Sequence, residues 1–190
     1  MQSVIKTSYR TMNLRTSFLL VDDILGAFAG TLGGDLRAYR NHVYRVLNYL
    51  LFLAPQHSEN ADLLLIAAAF HDLGIWTDGT FDYLEPSKRL ARKYLVAKGL
   101  THFGAEVEAI INHHHKLSPY RGAFSSTVES FRQADLVDVS LGVIRFGIRT
   151  EWVCAVKAEF PKAGFHRRLV ALACRQFLKN PLHPLPMLRW

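Results

Sequence analysis

A chain of 190 residues with 49% hydrophobic and 21% charged side chains is long enough for one packed core and scarcely for two, and this composition excludes a disordered protein. Lys and Arg number 23 against 16 Asp and Glu, a formal net charge of +7 that favours anionic partners: phosphorylated metabolites, nucleotides, nucleic acid or an acidic membrane surface. No stretch is long and apolar enough to span a membrane, and no membrane is expected among the partners. The run "FLLVDDILGAFAG" (residues 18–30) follows Lys6, Arg10 and Arg15 as an export signal would, but Asp22 and Asp23 split it. The chain reads as cytoplasmic, with Cys154 and Cys174 as buried reduced thiols rather than a disulfide.

In chain order, the first dozen residues read as a loose arm, and a helix is predicted over 16–30, ended by Gly30 before the Gly33-Gly34 turn. Asp35 is a candidate N-cap for a helix over 36–53, where Leu36, Val43, Leu47 and Leu50 recur at helical spacing and Pro55 closes the segment. Ser58 caps a third helix over 59–72, in which "ADLLLIAAAF" reads as buried. "GIWTDGTFDYLE" (74–85) has no helical period and reads as a loop, with Gly74 free to stop the helix before it. Pro86 suits the first turn of a fourth helix running to about Lys98. A fifth covers 103–115, with Phe103, Val107, Ile110, Ile111 and His114 along one side. After the loop "KLSPYRGAF", helices over about 125–142, 147–159 and 163–179 follow, Pro161 lies between the last two, and the proline-rich tail "NPLHPLPMLRW" ends the chain. No strand alternation stands out. The fold class is all-α, a compact bundle of about seven to eight helices forming a single domain over 1–190.

Four places on this helical map carry groups that a core does not normally choose. His42 borders the apolar stripe of the second helix; His71 and Asp72 end the buried third; His113, His114 and His115 end the fifth; and Asp135 shares a face with Val128, Phe131 and Val139. A lone carboxylate on such a face costs several kcal/mol or is neutralised by a raised pKa, whereas a bound cation removes the problem. Two imidazoles with two carboxylates suit one divalent transition metal: manganese, iron, cobalt, nickel or zinc. Each residue also has an ordinary reading: a core-edge histidine for His42, a helix cap for the His-Asp pair, an N–H acceptor or salt-bridge member for Asp135, and a second, solvated acid for Asp138.

The order His, His-Asp, Asp on successive helices resembles the HD-domain superfamily of metal-dependent phosphohydrolases. The resemblance is carried by "NHVYRV" around His42, "AAAFHDLGIW" around His71-Asp72 and "FRQADLVD" around Asp135. "EPSKRLARKYLVAKG" is similar to the family's helix after the HD pair, and "VEAIINHHHK" to its Ile-x-x-His segment, so the motif core spans roughly 35–142, with C-terminal helices and the tail over 143–190. The resemblance implies that His42, His71, Asp72 and Asp135 ligate one metal ion, and that His113 and His114 line the site or help hold a second. Two-metal members usually carry another histidine at or just before the helix after the HD pair. Here Asp82, Tyr83 and Glu85 stand nearby and no histidine occurs from 72 to 101, which favours one ion.

The reaction expected is hydrolysis of a phosphate ester of a small phosphorylated metabolite or nucleotide. The partner expected is that small phosphorylated substrate, with nucleic acid not favoured. Asp72 is both ligand and water-orienting base, with His113 as a second catalytic candidate. Lys88, Arg89, Lys116, Arg121 and Arg132 are the cations nearest the motifs and candidates for holding the phosphate. Asp78, Asp82 and Glu85 are candidate proton donors to the leaving group. The resemblance also admits a metal-dependent oxygenase or hydratase acting on small molecules. A third class is a non-catalytic module binding a nucleotide or RNA.

Overall fold

A computed structural model describes residues 13–55, 61–182 and 186–187. Ten helical segments follow one another: α1 (Leu19–Ala27), α2 (Ala29–Leu32), α3 (Leu36–Leu53), α4 (Ala61–Phe70), α5 (Gly74–Thr77), α6 (Leu84–Ala97), α7 (Gly104–His113), α8 (Ser125–Val139), α9 (Thr150–Glu159) and α10 (Phe165–Lys179). Eight have nine residues or more, α2 and α5 are single turns, and no strand occurs among the described residues, so the fold is all-α as expected.

A helix that is apolar all round has to be covered on every side, and α4 is: Leu63 to Phe70 are all buried beneath α1, α3, α6 and α7. α8 lies along α3 and against α7, while α9 and α10 contact α3 from the C-terminal part of the chain. The ends of α4 and α7 therefore open onto the middle of α3 and α8. Asp22, which interrupts the apolar run of α1, is tied down by Arg40 Nη2 at 3.1 Å and by the Tyr44 hydroxyl at 2.8 Å.

Several local expectations are corrected. The helix predicted over 16–30 breaks at Phe28, whose ring turns edge-on to Phe70, and Gly30 lies within α2 instead of ending a helix. Asp35 makes no cap bond; its Oδ2 accepts from Trp76 Nε1 at 3.0 Å. The segment 74–85 is not all loop, since α5 forms within it, and α7 and α8 stop at His113 and Val139, short of their predicted ends. Cys154 and Cys174 are unpaired as expected but exposed instead of buried. The N-terminal arm and the Ser58 cap lie outside the described residues.

Gly74 is required for a different reason from stopping a helix. A Cβ there would lie 2.6 Å from the Tyr83 carbonyl oxygen and 2.9 Å from the Ser87 nitrogen, while its N–H donates to Ser87 Oγ at 3.0 Å. The turn that follows the His-Asp pair is thus pressed directly on the start of α6. Gly74→Ala is expected to destabilise the fold by about 1–3 kcal/mol, because the obstacle is backbone and cannot step aside. Denaturant unfolding of the two proteins measures this.

Candidate metal centre

His42 and Arg45 lie three residues apart on α3, as do Asp135 and Asp138 on α8, so each pair shares a helix face and the two faces meet. Arg45 is fully buried. Its Nε and Nη2 donate to the two oxygens of Asp138 at 2.6 and 2.8 Å, and its Nη1 donates to the Phe160 carbonyl at 3.0 Å. Burial alone would raise the pKa of Asp138, but hydrogen bonds from His42 and Arg45 hold it well below the usual carboxylate range. Asp138 is therefore not a solvated acid. It is the buried acceptor, at 2.7 Å, for His42 Nδ1–H.

The other two inward histidines use one local device. His71 follows the last residue of α4 and His114 follows the last residue of α7, where helix carbonyls lack N–H partners. His71 Nδ1–H donates to the Ala68 carbonyl and His114 Nδ1–H to the Ile111 carbonyl, both at 2.8 Å and both three residues back. A carbonyl only accepts, so the proton sits on Nδ1 in each ring. For His71 this leaves Nε2 as a bare acceptor, and burial lowers its pKa to about 3. The Asp72 turn is fixed from α3, where the Tyr39 hydroxyl accepts from Asp72 N–H at 3.3 Å and donates to the Ala69 carbonyl at 3.0 Å.

The Nε2 atoms of His42 and His71 consequently face each other at 3.0 Å. With Nδ1 of His42 turned to Asp138, two lone pairs point at the same space, an arrangement that a cation between them stabilises. His42 Nε2 is 3.5 Å from Asp135 Oδ1 and 3.7 Å from Asp72 Oδ2, and His71 Nε2 is 3.5 Å from Asp72 Oδ2 and 3.8 Å from Asp135 Oδ1. A tetrahedron or octahedron with ordinary metal–ligand bonds has edges of roughly 2.9–3.6 Å. Asp135 Oδ1 is buried without a hydrogen-bond partner among the described residues, while Asp72 Oδ1 and His114 Nε2 lie 3.3 Å from each other. The donor set and its spacing fit a divalent transition metal. Burial raises Asp135 to about 7, whereas the surrounding imidazoles, His71 foremost, offset burial at Asp72 and hold it well below its ordinary value.

Of the four residues singled out as ligands, His42, His71 and Asp135 offer ligand atoms within 4.8 Å of one another, whereas Asp72 groups with His71 and His114; His114, His115 and Asp135 form a third such group. His113 is in none of these groups, and its ring stands against Tyr120 at 4.6 Å between centroids. On a helix running to 115, His115 would fall off the side shared by Val107, Ile110, Ile111 and His114, yet it comes within 3.6 Å of Asp135 through Nδ1. The reason is that α7 ends at His113, so a helical wheel does not extend to the next two residues. His115 Nε2 is paired at 2.5 Å with the hydroxyl of buried Tyr83, whose pKa is pushed well above its usual value by burial and by Asp72.

Of the candidate phosphate holders, Lys116 lies on the wall of a cavity of about 100 Å3 beside His114, His115 and Asp135, opposite Leu136 and Val139. Arg132 is buried and committed to Glu129 and to the Lys116 carbonyl, which it holds at 3.0 Å. Lys88 and Arg89 are paired with Glu85 and Asp78, and Arg121 is exposed. Those pairings also take up two of the three candidate proton donors; the third, Asp82, is exposed.

The family comparison agrees with this architecture. The HD domain family model matches residues 39–140, more than half of the chain. The chain belongs to the HD-domain family, and with it to a superfamily of metal-dependent hydrolases. Comparison with curated proteins and with solved structures returned no match.

Because Asp135 is raised from its ordinary 3.8 to about 7, the unfolded chain ionises this carboxyl at lower pH than the folded one. Metal-depleted protein is therefore expected to lose stability as pH rises through that window. Asp135→Asn should raise the melting temperature of metal-depleted protein at about pH 8 and change it little at about pH 4, while abolishing tight metal binding in a titration. Asp138→Asn behaves in the opposite way. It leaves Arg45 buried without its counter-ion, a loss of about 3–5 kcal/mol, and weakens metal affinity roughly 10–100-fold by freeing the His42 ring.

Proposed function

We propose that the protein is a metal-dependent phosphohydrolase acting on a small phosphorylated metabolite or nucleotide. The observation that carries the reading is the pair of Nε2 atoms at 3.0 Å with two buried carboxylates beside them, next to a small cavity walled by a lysine. His42, His71, Asp72 and Asp135 would hold one divalent ion (manganese, cobalt, nickel, iron or zinc), whose chemistry when bound would be Lewis acidity and a lowered pKa of water. Asp72 orients the attacking water. Lys116, anchored through its carbonyl by Arg132, neutralises the phosphate.

Proton handling in this reading passes from His113 to His115 and Tyr83. The Tyr83 phenol stays protonated at neutral pH and can donate, and its contact with His115 gives the proton a route to the carboxylate side of the site. The C-terminal helices belong to the same functional unit in this reading, since the Phe165 ring of α10 stacks on His42 at 4.1 Å between centroids. The exposed, unpaired thiols support a reducing, cytoplasmic setting.

Elemental analysis of the purified protein, with phosphate release measured from nucleotides and sugar phosphates in added Mn²⁺, Co²⁺ and Ni²⁺, tests the proposal. Phosphate release that chelators abolish and His71→Ala eliminates is expected. Lys116→Ala should raise KM with a smaller effect on kcat, and Tyr83→Phe should lower kcat about 100-fold or more with the metal still bound. Stoichiometric iron with dioxygen consumption and no phosphate release would instead favour an oxygenase. Salt-dependent RNA binding with no metal requirement would favour a binding module.

A further inference from the structure

The positive charge is not spread over the molecule. Residues 160–190 contain six of the 23 Lys and Arg and none of the 16 Asp and Glu, which leaves the preceding 159 residues nearly neutral at 17 bases against 16 acids. Four of the six cations, Arg167, Arg168, Arg175 and Lys179, are on α10.

α10 is also apolar on two sides. Its inner side, with Phe165, Leu169, Leu172 and Ala173, packs onto the rest of the protein. Its outer side presents Val170 at 63% exposure, Phe177 at 54% and Leu178 at 80%, with exposed Cys174 between them, and Leu182 at 89% continues the series beyond the helix end. Intervals of three and four residues put Val170, Cys174, Phe177 and Leu178 in one stripe. By the same geometry Arg175 and Lys179 line one flank of that stripe and Arg167 stands at its N-terminal end, while Arg168, on the same flank, is turned to Asp35 Oδ2 at 3.5 Å.

Three occupants compete for such a face. A second copy of the chain would set these cations against their own images, with no acid anywhere in the last 31 residues to relieve them. Nucleic acid would neutralise the cations but leave Phe177, Leu178 and Leu182 in water. An anionic lipid surface satisfies both: headgroups take the cations and the acyl boundary takes the apolar stripe. No helix among the described residues is long and apolar enough to cross a bilayer, which leaves the peripheral mode. We propose that the outer face of α10 docks on a bilayer surface containing anionic lipids, lying flat in the interface.

The test uses the full chain and does not depend on the hydrolase reading. Protein is sedimented with vesicles of phosphatidylcholine alone and of phosphatidylcholine mixed with phosphatidylserine. Partition onto the serine-lipid vesicles only, weakening as salt is raised, is expected. Arg175→Gln with Lys179→Gln should weaken it ~30-fold. Phe177→Ser with Leu178→Ser should weaken it further, with the circular dichroism spectrum unchanged because these side chains are exposed. A polarity-sensitive fluorophore on Cys174, in a Cys154→Ser background, should shift to the blue on docking. Equal partition onto both vesicle types, partition onto neither, or a Cys174 probe that stays in water while the protein sediments overturns the proposal. A dimer that Phe177→Ser with Leu178→Ser abolishes assigns the face to a second copy and overturns it equally.

Discussion

Two imidazole nitrogens held 3.0 Å apart with their lone pairs converging set the terms for the centre of this protein. Neither ring is free to turn away, because the opposite nitrogen of His42 is bound to Asp138 and that of His71 to the Ala68 carbonyl. The strain of that encounter is held in place from behind by the buried Arg45–Asp138 pair, which fixes α3 to α8, and by the helix end that carries His71. A site built this way is organised before any ion arrives. Little side-chain entropy remains to be lost on binding, and the ligand directions are set by backbone rather than by flexible chains.

The electrostatic pattern follows from the same arrangement. Asp72 and Asp135 differ by environment, not by chemistry: imidazoles on several sides keep Asp72 ionised, while burial dominates at Asp135 and raises it to about 7. The two carboxylates thus approach a metal with unequal readiness to give up a proton. Binding of a metal by both carboxylates would accordingly be coupled to proton release, concentrated on Asp135.

The sequence made some of this legible and hid the rest for definite reasons. The apolar run in α4, the helical spacing in α3 and the acid at 135 on an apolar face were enough to locate the helices and to place His42, His71, Asp72 and Asp135 among the groups a core does not choose, because periodicity reports which face a residue shares. The resemblance to the HD domain set these four apart from His113, His114 and His115. Arg45 and Asp138 were open to the same reasoning, since each lies three residues from a singled-out residue and on its face. A buried guanidinium–carboxylate pair nevertheless looks in sequence like two ordinary surface charges. A helical wheel misplaces His115, because the helix ends at His113 and the next two directions are set by a turn. Tyr83 follows the HD pair by only 11 residues but carries no metal-ligand signal, Phe165 lies far from the motifs in sequence, and both reach the site through tertiary packing.

Arg45 also bears on how the molecule is made. Its guanidinium joins residue 45 to residue 138 and to the carbonyl of residue 160, contacts spanning 93 and 115 positions of the chain. Both are long-range closures, and the second reaches past the segment that matches the family model. During synthesis the two histidines and the HD turn leave the ribosome well before the residues that lock them. Until residue 160 is available, this guanidinium lacks one of its acceptors and the rear wall of the centre is incomplete. An ion captured at this centre would therefore be captured late in the life of the nascent chain, after the C-terminal segment has docked, and a fragment ending with the family-matched region would keep the candidate ligands without the part that seals them.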